Sequence, residues 1–241
     1  MISGQKWGEQ VASNAGHKRE TRVNSFILFL ALITGLVLFS IACRPVSPVV
    51  LPPGEVLNFR GQGSFYFKSP GEQGRVRMSF FFELPARARL EILNPLGGLE
   101  AILWLDGRQA TLYLTADRLV WQGDTGFLLD QFLGGELAVE DLACLLTGQV
   151  SRLQGSWEIK DEASGQAVKG RKEDLSFELK EYFAGSQVPK TILFEAENYS
   201  ARLRLQAIKF NQTYKTELFS PSFPAGARKV SWEELSQSWK K

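Results

Sequence analysis

From residue 55 onward, apolar and polar side chains alternate with a period of two, a pattern that fixes extended strands with one buried face and one wet face. In "RVRMSFFFE", Val76, Met78, Phe80 and Phe82 point one way, and Arg75, Arg77 and Ser79 the other. Ala88, Leu90 and Ile92 alternate with Arg87, Arg89 and Glu91. Leu99, Ala101, Leu103 and Leu105 form one face of the next strand, and Ala110, Leu112 and Leu114 return along it after Asp106-Gly107, a pair that predicts a type I′ hairpin. The alternation recurs at Leu175, Phe177 and Leu179 and at Ala201, Leu203, Leu205 and Ala207. The chain is therefore mainly β, and the pattern predicts a curved antiparallel sheet that is wet outside. Something apolar must fill its inside.

Two short helices supply part of that filling. "TGFLLDQFLGG" places Leu128, Leu129, Phe132 and Leu133 on one stripe and ends in Gly134, a C-terminal cap. "VEDLACLLTG" repeats the device with Val139, Leu142, Leu145 and Leu146 before Gly148. Helices that are apolar on the side facing a sheet fit a permanently packed core and a ligand cavity alike. At the end of the chain, Ser231 and Glu234 form a capping box, and Trp232, Leu235 and Trp239 share one face of a third helix. That helix suits an open end of the sheet or a protein partner.

The folded part, residues 55–241, follows a leader and a tether. Residues 26–42, "FILFLALITGLVLFSIA", carry no charge and are preceded by Lys6, Lys18, Arg19 and Arg22. This is the layout of an export signal over residues 1–42. The run ends in Ala42 and Cys43, the order of a bacterial lipobox, in which the cysteine takes a diacylglyceryl group and becomes the first mature residue. Ser40 stands where lipoboxes usually carry Leu. The other reading is an uncleaved anchor, since 17 apolar residues are at the lower limit for spanning a bilayer. Both place the remainder outside the cytoplasm. Residues 43–54 include Pro45, Pro48, Pro52 and Pro53. At ~3.1 Å per residue, such a segment is a tether on the order of 30 Å long.

Composition narrows the chemistry. Residues 1–42 contain the only histidine, His17, with four of the 28 basic and two of the 26 acidic side chains, so 24 of each remain. A neutral balance argues against nucleic acid held by phosphate contacts. Without histidine, the usual general base and the commonest metal ligand are missing. There is no phosphate loop, nucleophile elbow or metal-ligand spacing, so neither an enzyme nor a cofactor is expected. Cys144, among apolar neighbours in "EDLACLLTG", reads as a small packed thiol.

One turn breaks the usual rule. In "ILNPLGGLEA", Asn94-Pro95-Leu96-Gly97 puts a leucine at the tip of a tight reversal, where polar side chains are the norm. Leu96 either folds back onto the core or is kept exposed for a surface other than water.

The stretch from Arg87 to Val150, with "ARLEILNPLGGLEAILWLDGRQATLYL" and then "LLDQFLGGELAVEDLACLLTG", resembles the LolB family of outer-membrane lipoprotein receptors. The resemblance implies an unclosed antiparallel β-barrel of LolA/LolB type, with short helices covering an apolar cavity. It implies a monomer, lipid-anchored through Cys43 on the periplasmic face of the outer membrane. Such a receptor accepts acylated lipoproteins from a LolA-like periplasmic carrier and releases them into outer-membrane lipid. By the same resemblance, Asn94, Pro95, Leu96 and Gly97 form the membrane-contact loop. The inner-face residues Val76, Met78, Phe80, Leu90, Leu103, Leu112, Leu128 and Phe132 would then line the acyl-chain cavity. Arg44, directly after the cysteine, resembles the signal for outer-membrane sorting. Two departures keep other readings open. Ala138 stands where the family commonly has Pro, and "FSPSFPAGARKV" looks more like the closing strand of LolA-type lipid-binding proteins. The alternatives are a lipoprotein-anchored carrier of another lipid and a non-enzymatic envelope scaffold with a filled barrel.

Overall fold

Among the described residues, twelve strands form one sheet. The computed structural model describes residues 52–153, 155, 157–161 and 168–239. The leader, Cys43 and the tether as far as Leu51 lie outside the described residues. Six strands come first: β1 (Asn58–Ser69), β2 (Glu72–Glu83), β3 (Arg87–Leu93), β4 (Leu99–Asp106), β5 (Gln109–Leu114) and β6 (Leu119–Asp124). Helices α1 (Thr125–Leu133) and α2 (Val139–Thr147) follow. Strands β7 (Glu158–Asp161), β8 (Val168–Lys172), β9 (Leu175–Tyr182), β10 (Pro189–Ala196) and β11 (Tyr199–Phe210) complete the meander. The short β12 (Arg228–Lys229) and α3 (Trp232–Trp239) come last, and the strand order in the sheet is β12-β6-β5-β4-β3-β2-β1-β11-β10-β9-β8-β7. No helix among the described residues is long and apolar enough to cross a membrane.

The two runs of hairpins join where β1 pairs antiparallel with β11. A bulge at Gln62/Gly63 interrupts that ladder, and bulges bend the strand that carries them. The glycines there are steric necessities, because a Cβ on Gly61 would lie 2.3 Å from the Phe80 ring and one on Gly63 2.7 Å from the Arg204 carbonyl oxygen. The sheet is curled. Leu103 on β4 and Phe194 on β10 border the same cavity, although five strand spacings, roughly 24 Å in a flat sheet, separate them. It is also open, with β12 and β7 at its two edges.

Alternating residues of β1–β6 and β8–β11 point inward with α1 and α2 to form the main core. Both helices end as expected, in left-handed Gly134 and Gly148. At the start of α1, the Asp124 carboxylate accepts from the Phe127 N–H at 2.9 Å. Ala138 gives α2 no side-chain cap, and Glu140 and Asp141 in its first turn oppose the helix dipole instead.

Two expectations are corrected. The outside is not wet everywhere: Ile102, Trp104, Tyr113 and Val120 are buried on the outer face of β4–β6 under Phe223 and Ala227. The residues alternating with the inner set there are themselves apolar, so both faces need cover. The β4–β5 turn has positive φ at Gly107 alone of its two central residues, which is the type II′ pattern rather than type I′.

Beyond Phe223 the chain rounds the sheet edge, pairs as β12 in parallel with β6, and continues into α3. There Leu235 is fully buried, and the Trp232 ring meets Trp121 at 5.3 Å and Phe127 at 5.4 Å. Ser231 caps α3 by accepting from the Glu234 N–H at 3.3 Å. Ser47–Lys241 is one compact unit, and both hydrophobic clusters draw only on residues from Val56 to Leu235. This unit therefore folds on a core entirely its own.

Candidate functional site

Between the inner face of the sheet and the helices lies a cavity of about 70 Å³ with only apolar side chains on its wall. Strands contribute Phe65, Val76, Met78, Leu90, Ile92, Leu103, Phe194 and Leu203, and helices contribute Leu129, Phe132, Leu133 and Leu142. Five of the eight residues expected there are brought together: Val76, Met78, Leu90, Leu103 and Phe132. Phe80, Leu112 and Leu128 are not on this wall; each is completely buried in the packed core. Phe80 sits instead in an aromatic cluster with Phe59 and Phe82.

The apolar stripe of α1 is wide, and its pattern does not say which leucine packs flat and which edges the void. Leu128 does the first and Leu129 the second. Phe65 and Phe194, outside the expected set, also line the wall, and the alternation within their strands is the signal that marks them.

A wall without hydrogen-bonding groups selects hydrocarbon and nothing polar. Its present size is the limiting feature. A cavity of about 150 Å³ accepts a benzene ring, so this one, as it stands, is too small for an acyl chain. A larger cleft of about 610 Å³ has a mixed lining, with Glu55, Glu83, Glu140 and Arg152 beside Val56, Leu57, Leu84 and Pro85. Cys144 is half-buried in that cleft, and burial, followed by the charge of Asp141, pushes its thiol pKa up. Among the described residues, no three His, Cys, Asp or Glu side chains are grouped to hold a metal.

The β3–β4 turn leaves the sheet two residues beyond Ile92 on the cavity wall. The Gly97 N–H donates to the Asn94 carbonyl at 2.9 Å, and the Asn94 N–H donates to the Gly98 carbonyl at 2.8 Å. The Asn94 side chain accepts from the Gly98 N–H at 2.8 Å. Pro95 fixes φ at the second position, while Gly97, at φ +87°, takes the left-handed conformation that the reversal needs. From below, the Arg77 guanidinium donates to the Pro95 carbonyl at 3.2 Å. The result is a braced turn with Leu96 97 % exposed. Leu96 does not fold back onto the core.

Residues 57–209 match the family model described as outer membrane lipoprotein LolB. No curated protein matches the chain. Among solved structures, a LolA superfamily protein from Nitrosomonas europaea is similar at 10 % identity and a TM-score of 0.45, covering 68 % of this chain and 90 % of that one. An uncharacterized conserved protein from Thermus thermophilus is similar at 14 % identity and a TM-score of 0.41, covering 73 % and 90 %.

Proposed function

The chain belongs to the LolB family of outer membrane lipoproteins, which is non-enzymatic, and from that premise we propose that it is a lipid-anchored receptor for acylated lipoproteins. It takes them from a LolA-like periplasmic carrier and inserts them into the outer membrane, with Cys43 as its own lipid-bearing residue. The observation that carries this reading is a fully exposed leucine on a braced turn that begins two residues beyond the wall of an all-apolar cavity.

The energetics are consistent with that role. An acyl chain loses roughly 0.8 kcal/mol per methylene when it is left in water, so a carbon-lined cavity that opens offers it a temporary host. Leu96 contributes a few kcal/mol at most on entering a bilayer interface. That suffices for brief docking and is too little for anchoring. Cargo that binds the receptor better than the carrier, and the membrane better than the receptor, moves in one direction without an energy source.

The test compares delivery of a bound fluorescent lipopeptide to liposomes by the Ser47–Lys241 unit and by its Leu96→Glu variant. Unchanged uptake with impaired delivery is expected. Leu112→Glu, which buries a charge in the core, should abolish folding or uptake. If Leu96→Glu lowers the melting temperature as much as Leu112→Glu, the turn is a core element and the reading fails.

The small size of the cavity favours a second reading, an envelope scaffold with a filled barrel. Native mass spectrometry of the unit purified from an envelope extract separates the two. A bound acylated species supports the receptor, and a bare unit supports the scaffold.

A further inference from the structure

The outer face of β2, β1 and β11 carries cations that the sheet does not neutralise. Strand register places Tyr66 between Arg75 on β2 and Arg202 on β11, and Ser64 between Arg77 and Arg204. All four arginines are exposed, and none forms an ion pair among the described residues. The Arg202 guanidinium lies 5.8 Å from the centre of the Tyr66 ring. Elsewhere the same sheet interleaves its charges: Glu178 on β9 bonds Lys180 at 2.7 Å and Lys169 at 3.4 Å. The arginine rows are thus a local choice in a chain whose formal net charge is only +2. Their mutual repulsion is a cost that an anionic partner removes.

Guanidinium groups match phosphate oxygens in geometry as well as charge. The patch also joins the braced turn directly, because Arg77 in its second row holds the Pro95 carbonyl. A surface that receives Leu96 therefore meets these arginines next. A phospholipid bilayer offers hydrocarbon and phosphate in that order, and a tyrosine set among arginines suits its interface.

We propose that the outer face of β2–β1–β11 is a docking surface for anionic phospholipid headgroups, which orients the unit with Leu96 toward the bilayer. The orientation rests on the membrane-contact reading of Leu96, and the headgroup binding does not.

The experiment measures sedimentation of the Ser47–Lys241 unit with phosphatidylcholine vesicles, with and without phosphatidylglycerol, at low and physiological salt. Binding should rise with phosphatidylglycerol and fall as salt screens the charges. Each basic residue near an anionic surface contributes about fivefold. Arg75→Glu combined with Arg202→Glu should therefore reduce phosphatidylglycerol-dependent binding by roughly tenfold or more, leaving binding to pure phosphatidylcholine unchanged. The neutral pair Arg75→Gln and Arg202→Gln should fall between, and all variants should melt with the parent because the side chains are exposed.

Leu96→Glu separates the two ideas: it should lower binding to pure phosphatidylcholine and retain the enhancement by phosphatidylglycerol. If Leu96→Glu leaves phosphatidylcholine binding unchanged, only the membrane-contact reading fails. If phosphatidylglycerol gives no enhancement, or the double charge reversal retains it, the docking surface is refuted. Loss of lipopeptide uptake from a carrier by the double variant, with vesicle binding intact, would assign the face to an acidic protein and overturn the lipid proposal.

Discussion

The Tyr199 hydroxyl donates a hydrogen bond to the main-chain carbonyl of Phe132. This ties the first residue of β11 to the last turn of α1, the turn whose Phe132 side chain lies on the cavity wall. Burial keeps this phenol protonated and pushes its pKa well up. If the cavity enlarges by movement of α1 from the sheet, this contact resists that motion.

Tyr199→Phe keeps the ring and removes the bond. Loss of one such bond costs about 1 kcal/mol, to be read from the urea midpoint. If α1 gates the cavity, the variant should also take up a fluorescent fatty acid faster than the parent. Equal uptake rates with the same stability loss would make the bond purely structural.

Cavity wall and solid core should respond differently to added bulk. Leu112 is completely buried away from the void, so Leu112→Trp should cost about 1–3 kcal/mol through overpacking. Leu103 borders the void, and Leu103→Trp should cost less while blocking fatty-acid uptake. Equal losses in urea denaturation, with uptake intact at Leu103, would show that the void is not the binding site.

Much of this architecture was legible because a single faithful pattern encodes it. Leu175, Phe177 and Leu179 do face the core, and Ser176, Glu178 and Lys180 do not. The turn at Leu96 was legible too, since Pro95 and Gly97 carry backbone requirements that no tertiary contact alters. What failed involved partners distant in sequence. "AILWL" has apolar residues at both parities, a signal of double-sided burial, but the covering residue Phe223 lies more than a hundred positions later. The pairing of β1 with β11 and the parallel β12 follow from sheet assembly and leave no local mark. The stripe of α1 does not fix the rotation that separates Leu128 from Leu129, so the cavity wall is only partly legible in the sequence.

The covering of the outer face can be tested by removing its plug. The Phe223 ring meets Trp104 edge-on at 5.7 Å and Tyr113 at 5.6 Å. The Trp104 indole N–H also donates to the Leu218 carbonyl at 3.3 Å. Phe223 is only partly buried, so Phe223→Ala should cost about 2 kcal/mol. It should also open the segment between Asn211 and Val230 to limited proteolysis. A variant as resistant to protease as the parent would mean that β12 and α3 hold the segment unaided.

Alkaline pH should loosen the start of that segment through Tyr214. Its ring packs edge-on against Phe219 at 5.3 Å. Burial, followed by the neighbouring Glu83 carboxylate, raises the phenol from 10.0 to about 12. Since the folded-state pKa lies above the unfolded value, the fold favours the neutral phenol. The stability this contributes is complete below pH 10 and is lost as pH rises toward about 12. Tyr214→Phe has no proton to lose. Other titrating groups, Tyr199 included, are common to both proteins and cancel in the comparison. The difference in urea midpoint between parent and variant should therefore shift steadily against the parent across that window and stay constant below it. Parallel midpoint curves would show that Tyr214 titrates alike in the folded and unfolded chains.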